Sequence, residues 1–131
     1  MWPFGRRRRK TLGERGEALA RRTLKRKGLK LLAENYRCPG GEIDLIFLDT
    51  STRRRSGAET LVFVEVKTRT SDKYTSPESA VNSHKQRRIR RAADYYIARR
   101  HARDYNVRND IVSIVIPDGA KPRIEHIPDA F

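Results

Sequence analysis

Two apolar runs that carry acidic residues constrain this chain more than any other feature of its sequence. The run LVFVEVKTR, Leu61–Arg69, is rich in β-branched and large apolar residues, as a buried strand is. Because successive side chains on a strand point to opposite faces, its three valines share one face. The other face ends in Glu65 and Lys67. Since an unpaired buried charge is costly, both charges on this face require an explanation.

The second run, EIDLIFLD, places Asp44 among apolar residues, although Asp is uncommon within strands. Glu42 and Asp44 share one face of this predicted strand. The polar stretch TSTRRRSGAE, residues 50–59, follows it and is interpreted as a loop. A loop of that length allows the two runs to pair as antiparallel neighbours. Such pairing would bring Asp44 beside Glu65.

Two carboxylates at short range repel each other unless a cation lies between them. Hard oxygen ligands with room for water suit Mg²⁺ or Mn²⁺, so Asp44 and Glu65 are predicted metal ligands. Lys67 would lie beside that metal, where its ammonium can neutralise a phosphate or position an attacking water. Phosphodiester hydrolysis requires this combination of a metal that acidifies water and a cation for developing charge.

Each of these residues also has an ordinary structural interpretation. Glu65 and Lys67 could form the polar face of an edge strand, and Asp44 could favour a turn at a strand end. The combination of both acids with the lysine, each acid embedded in an apolar strand, favours the metal site.

Two glycines lie on one face of the first predicted helix. Gly13 and Gly16 each destabilise a helix by about 1 kcal/mol relative to alanine, so we expect this face to pack very closely on a neighbour. Glu17 lies on the same face and is a candidate third acid of the site. The alternative is that Glu17 complements the helix dipole.

The hydrophobic pattern predicts the order α-β-β-β-α-β-β in a single domain, residues 11–131. This order indicates an α/β fold with a mixed central sheet flanked by helices. Thr11 and Glu14 have the spacing of a helix capping box. The predicted elements are a helix over 11–28, strands over 29–37, 42–49 and 61–69, a basic helix from Pro77 to about His101, and strands over 110–117 and 123–127.

A formal net charge of +14 decides the class of partner. A domain this basic attracts polyanions, with nucleic acid first and an anionic membrane surface second. Residues 1–10 are interpreted as a flexible basic arm, either a nucleic-acid arm or a solubilising tail. On the basic helix, Lys85 interrupts the inward stripe and either meets an anion or extends to solvent. The predicted nucleic-acid-binding residues are Arg6, Arg7, Arg8, Arg9, Lys10, Lys85, Gln86, Arg87, Arg88, Arg90 and Arg91.

Other classes of protein are excluded by what the sequence contains. Cys38 is the only cysteine, which excludes an intramolecular disulfide and a cysteine-based zinc site. No apolar run approaches the length of a membrane span, and the basic start precedes no apolar segment of a secretory signal. A cytoplasmic protein is therefore expected.

Four segments together resemble the YraN family of small bacterial proteins. They are GERGEALA, NYRCPGGEIDLI, LVFVEVKTR and AVNSHKQRRIRRAADYYI, and the resemblance extends from about Gly13 to the final strand. That family is similar to the restriction-endonuclease-like, or PD-(D/E)XK, superfamily, which includes archaeal Holliday junction resolvases. The resemblance implies an αβββαβ core. Ile43 stands where the superfamily signature has proline.

The resemblance also implies residue roles and a function. It maps the superfamily's metal-binding acids and lysine onto Asp44, Glu65 and Lys67, the helix acid of resolvases onto Glu17, and a polar residue of the second core helix onto Lys85 or Gln86. The expected activity is Mg²⁺- or Mn²⁺-dependent hydrolysis of DNA, including branched or recombination intermediates, and the resolvases suggest a homodimer. The alternative is a nucleic-acid-binding module with an inactive nuclease-like site. A third option, an RNA-associated basic protein, would require aromatic stacking surfaces.

Overall fold

A computed structural model describes residues 8–71 and 81–131 of the chain. The elements, in chain order, are α1 Leu12–Arg26, β1 Lys30–Cys38, β2 Gly41–Asp49, a 3₁₀ turn Thr50–Thr52, α2 Arg53–Ser56, β3 Thr60–Arg69, α3 Ser83–Arg99, β4 Asn106–Val115 and β5 Arg123–Ile127. The predicted order of the long helices and strands is confirmed. The predicted loop after β2 is wrong in part, because it contains the 3₁₀ turn and the single turn of α2.

The five strands form one mixed sheet in the order β1-β2-β3-β4-β5. Strands β3 and β4 pair in parallel, and the other neighbours pair antiparallel. A parallel pair cannot be joined by a tight hairpin, and the connection that carries α3 provides the crossover. The predicted α/β class, with an αβββαβ core and a mixed sheet flanked by helices, is confirmed.

Helices α1 and α3 cover opposite faces of the sheet. Ala20 and Leu24 of α1 pack in one core cluster with Val62 and Val64 of β3. Phe63, the residue between those valines, belongs to the second cluster, which contains the buried residues of α3. Since neighbouring strand residues point to opposite faces, the two clusters are separate layers with the sheet between them.

Close packing on each face depends on a glycine. A Cβ at Gly16 of α1 would overlap the Thr68 side chain of β3, so a larger residue would push the helix away from the sheet. A Cβ at Gly41 of β2 would overlap the Arg88 carbonyl of α3. The expected close approach of α1 is therefore confirmed for Gly16. It is wrong for Gly13, which is exposed and where an added Cβ would meet no atom within 4 Å.

Several predicted boundaries shift in the structure. The capping box of α1 is present, with the Thr11 side chain accepting from the Glu14 N–H. Helix α3 begins at Ser83, because the Asn82 side chain caps it by accepting from the Lys85 N–H. The predicted helix from Pro77 is wrong at Val81 and Asn82, which precede α3, and residues 77–80 lie outside the described residues. Strand β4 begins at Asn106, four residues before the predicted start. Within the described ranges, no helix is long and apolar enough to cross a membrane.

Candidate active site

Asp44 lies where strands β2 and β3 stop pairing as a regular ladder. Their paired residues extend from Asp49 opposite Thr60 to Leu45 opposite Val64. One residue further, the Asp44 carboxylate accepts a hydrogen bond from the Val66 N–H at 2.8 Å. The Asp44 side chain thus accepts a hydrogen bond from a backbone N–H that, in a regular sheet, would donate to a backbone carbonyl. The divergence of the strands opens the space that the carboxylate occupies.

The alternation of β2 is also broken at Asp44. Ile43 packs with the α3 core cluster, whereas Leu45, two residues later, packs with the α1 cluster. In a regular strand these two side chains would share a face. The irregularity places Asp44 between the two layers.

Glu65 lies on the α3 side of β3, directly after Val64, the last residue of β3 that pairs with β2. Its side chain is 14% exposed, and its Oε1 atom is 3.4 Å from Lys85 Nζ. The Asp44 and Glu65 carboxyl groups are close enough to interact directly, since each contributes to the pKa shift of the other. The structure thus brings together the two acids that the sequence pattern paired.

The surroundings favour protonation of this pair. The pKa of Glu65 is raised to about 7, mainly by burial and also by the Asp44 charge, although the Lys85 ammonium lowers it. Burial also raises the pKa of Asp44, against the hydrogen bond from the Val66 N–H. Two buried carboxylates with one nearby cation therefore cannot both ionise at low cost.

Glu17 of α1 approaches this pair from the other face of the sheet. Burial raises its pKa, and the negative charge of Asp44 raises it further, so the two carboxylates are within electrostatic range. The contact between Gly16 and Thr68 holds α1 close enough for this interaction. Glu17 nevertheless stands apart from the pair, since the described residues include no group of three His, Cys, Asp or Glu side chains arranged to hold a metal ion.

The two lysines near Glu65 have different positions. Lys67 follows two residues later on the same face of β3 and is half-buried. Lys85, from the first turn of α3, makes the ion pair with Glu65, and its side chain is 42% exposed. Of the two outcomes expected for Lys85, the structure shows the contact with the acids.

The remaining residues predicted to bind nucleic acid are distributed over α3 and the basic arm. Gln86 donates to the Val81 carbonyl at 3.1 Å, so its amide is used in a hydrogen bond to the residues that precede α3. Arg8 forms an ion pair with Glu14, and Arg6 and Arg7 lie outside the described residues. Besides Arg8, the exposed members of the set are Arg87, Arg88, Arg90, Arg91, Arg9 and Lys10.

Arg88 is the α3 arginine that borders the acid pair among the described residues. A small pocket beside Glu65 is lined by Glu42, Lys85, Arg88 and Ile89. The Arg91 side chain covers Gly40 at the turn before β2, and the Arg90 guanidinium lies 5.5 Å from the Phe131 ring. The acids are therefore reached from solvent beside a cationic helix surface.

The residues present fit a hard divalent cation. The donor set consists of two adjacent carboxyl groups whose pKa values burial raises, and Mg²⁺ and Mn²⁺ prefer carboxylate oxygens together with water. A site built from few carboxylates leaves coordination positions for water and for a phosphate. Asp44 and Glu65 would hold such an ion, with Glu17 contributing charge from α1.

Sequence reasoning missed a second buried acid. Asp110 of β4 is fully buried and accepts two hydrogen bonds from Arg108, at 2.8 and 3.1 Å. The His126 ring of β5 lies 2.7 Å from Asp110, and the Asp129 N–H donates at 2.9 Å. Lys27 Nζ is 2.8 Å from the other ring nitrogen of His126. The available signal was the Arg-x-Asp spacing ahead of an apolar run, which puts a cation and an acid on one strand face.

Comparison with known proteins identifies the family of the chain. Residues 16–114 match the uncharacterised protein family UPF0102. A UPF0102 protein of Geobacter metallireducens is 47% identical over 122 residues, which is 93% of each chain. A UPF0102 protein of Alkaliphilus metalliredigens is 40% identical over 93% of this chain and 98% of its own. The chain therefore belongs to the UPF0102 family, the YraN family whose motifs its sequence carries.

Proposed function

We propose that this protein is a metal-dependent nuclease that hydrolyses phosphodiester bonds of DNA, with branched recombination intermediates among its substrates. The observation that carries the proposal is the adjacency of Asp44 and Glu65 at a break in the sheet, in surroundings that raise the pKa of both carboxyls. Perturbed carboxyl groups in an accessible position are typical of functional sites.

We assign a separate role in phosphodiester hydrolysis to each side chain in and around the pair. Asp44 and Glu65 are the proposed ligands of Mg²⁺ or Mn²⁺, and Glu17 adds negative charge from α1. A bound divalent ion supplies a polarised phosphoryl oxygen and a water of lowered pKa. Lys67, on the same strand face as Glu65, is placed to stabilise negative charge on the phosphate or to orient the attacking water. Lys85 balances the charge of Glu65 in the metal-free protein.

The basic surface of α3 is the proposed route by which DNA reaches this pair. Arg87, Arg88 and Arg91 are exposed on the helix whose first turn carries Lys85. Phosphate contacts from such residues supply affinity and position the backbone without reading its sequence. Arg88 borders the pocket beside Glu65, so a backbone held on α3 would pass close to the two acids.

One observation favours a second candidate function, a DNA-binding module whose nuclease-like site is inactive. The Lys85 ammonium already pairs with Glu65, and a permanent ion pair would hold that carboxylate without a metal. The basic surfaces would then bind DNA with no cleavage. The two functions differ in what the acids do, so substitutions at the acids separate them.

The test is a cleavage assay on linear duplex, single-stranded and four-way-junction DNA with Mg²⁺ or Mn²⁺. We expect Asp44→Asn, Glu65→Gln and Lys67→Ala each to reduce cleavage by at least about a hundredfold, the size of effect typical for one group that stabilises transition-state charge. DNA affinity should change little, because it comes from arginine and lysine contacts with phosphates.

The matched control is Glu125→Gln, which removes an exposed carboxylate from β5 at the far edge of the sheet. Cleavage by this variant should equal that of the unmodified chain. Tight DNA binding by the unmodified chain with no cleavage under either metal would reject the nuclease and support the binding module. Cleavage that survives all three site substitutions would reject the assigned residues.

A further inference from the structure

A second basic surface lies on the outer side of α1, away from the acid pair. Its residues form a shallow groove of about 560 Å³ and surround the small side chain of Ala18. All its other lining residues are cations: Lys10, Arg21, Arg22, Lys25 and Arg26. Arg21 is paired with the Glu34 carboxylate at 3.1 Å, which leaves five cations against one acid. We call this surface the α1 groove.

The charge pattern of the α1 groove is unfavourable for the helix by itself. Arg21 and Lys25 are four residues apart, as are Arg22 and Arg26, and like charges at this spacing repel each other across one turn. The helix dipole favours Lys25 and Arg26 in the last turn, but it does not favour Arg21 and Arg22 in the helix interior. A polyanion in the groove would relieve this repulsion.

The α1 groove and the α3 arginines are on opposite sides of the molecule, because α1 and α3 cover opposite faces of the sheet. Each helix with its side chains is about 10–12 Å in diameter, so the two outer surfaces are more than about 20 Å apart with the sheet between them. DNA has a persistence length of about 150 base pairs and does not fold back over that distance. One short straight duplex therefore cannot contact both surfaces.

We propose that the α1 groove is a second nucleic-acid-binding surface and that the protein holds two duplex segments at once, one on each face of the sheet. The inference rests on the proposed DNA partner but not on cleavage. The phosphate backbone is the ligand of the groove, since its lining residues other than Ala18 are all cations, and such side chains contact phosphates without reading the sequence.

The experiment is a bridging assay with the full chain. A 20-base-pair duplex is fixed to beads, the protein is added, and capture of a second, fluorescent duplex is measured. The α1 variant carries Arg22→Gln, Lys25→Gln and Arg26→Gln, and the α3 variant carries Arg87→Gln, Arg88→Gln and Arg91→Gln. A charge-matched control carries Arg53→Gln, Arg54→Gln and Arg55→Gln on α2, whose side chains are also exposed.

We expect both the α1 and α3 variants to bind the first duplex and to lose capture of the second, whereas the control retains both. The slope of log affinity against log salt for the first duplex should fall by at most about 2.7 in either variant, since each phosphate contact contributes about 0.9. Unfolding temperatures of the three variants, measured in parallel, should match that of the unmodified chain, because all nine side chains are exposed.

The outcomes separate this inference from the proposed function. If the unmodified chain binds no duplex, the DNA partner itself is rejected. If it binds one duplex and captures no second, or if the α1 variant bridges as well as the control, the second surface is rejected while the DNA partner stands. Loss of binding to anionic phosphatidylserine vesicles by the α1 variant, with bridging intact, would assign the groove to a membrane and would also overturn the inference.

Discussion

Asp110 on β4 and the Asp44–Glu65 pair on β2 and β3 lie in the same sheet, and they differ in how completely their negative charge is compensated. Asp110 of β4 receives two hydrogen bonds from Arg108, one from the His126 ring and one from the Asp129 N–H. Burial would raise its pKa, but these partners outweigh burial and hold the pKa below its usual value. The Asp110 cluster is complete without any ligand.

The two carboxyl groups of the Asp44–Glu65 pair have fewer hydrogen-bond and ionic partners than the single carboxylate of Asp110. Among the described residues, Asp44 accepts from one backbone N–H, and Glu65 has one ammonium at 3.4 Å. Burial therefore dominates and raises the pKa of each carboxyl, and the charge of Asp44 raises the pKa of Glu65 further. Burial alone thus does not identify a functional acid: the informative feature is a buried carboxylate whose partners are too few for its charge.

The largest expected effect comes from breaking the complete cluster. Asp110→Asn should lower the free energy of unfolding by about 3–5 kcal/mol, because it removes the fully buried anion that contacts Arg108 and His126 and leaves Arg108 only its contact with Asp49 at 3.3 Å. Chemical denaturation at pH 7 measures this change. Asp44→Asn is the matched control and should cost far less. A loss below about 1 kcal/mol for Asp110→Asn, the size of an ordinary surface ion pair, would show that the cluster does not hold the fold.

A smaller effect, a gain in the free energy of unfolding, is expected when Glu65 of the Asp44–Glu65 pair is replaced. We call this pair incomplete because its partners do not compensate its charge. The pKa of Glu65 is raised from an ordinary 4.5 to about 7, so the folded metal-free chain binds this proton more tightly than the unfolded chain. Its unfolding free energy should therefore fall as pH rises from about 4.5 to 7. Glu65→Gln removes that fall and should stabilise the chain at pH 8 by a few kcal/mol, since one pKa unit corresponds to about 1.4 kcal/mol.

Denaturation of both proteins in EDTA from pH 4 to pH 8 measures this difference. The two curves should nearly coincide at pH 4, where Glu65 is protonated and resembles glutamine in shape. Asp110 has the opposite dependence, because its lowered pKa gives stability that is present above about pH 4 and is lost on acidification. If Glu65→Gln instead loses several kcal/mol at pH 8, the ion pair with Lys85 dominates and the pair is structural.

The smallest effect is expected from removing the cation beside Glu65. Lys85→Met should raise the pKa of Glu65 above 7, because the Lys85 ammonium lowers it in the unmodified chain. The shift should be modest, since the Lys85 side chain is 42% exposed and water screens its charge. Carboxyl ¹³C chemical shifts followed through a pH titration measure it. Lys121→Met, an exposed change in the turn before β5, is the control, and an equal shift there would exclude a local effect.

The position of the acid pair could be predicted from the sequence because local patterns determine it. Continuous apolar runs define β2 and β3, and the short polar segment between them makes the strands antiparallel neighbours, which brings Asp44 close to Glu65. The break in alternation at Asp44 was not predictable, because it depends on how the two helices share the sheet.

The partners of the acids were harder to predict because they come from distant parts of the chain. Lys85, rather than Lys67, pairs with Glu65, and this depends on where α3 begins and how it lies on the sheet. The Asp110 cluster combines residues of β4 with His126 of β5, and Lys27, directly after α1, contacts that histidine across 99 positions of sequence. No periodic pattern connects residues so far apart.

Binding of Mn²⁺, followed by paramagnetic broadening of backbone amide signals, tests whether the incomplete pair holds a divalent cation. We predict broadening centred on the amides of Glu65 and Val66 and on Asp44, its loss in Asp44→Asn, and little change around Asp110. Broadening that is centred on exposed acids such as Asp118 and Glu125, or that persists unchanged in Asp44→Asn, would show that the pair is not a metal site.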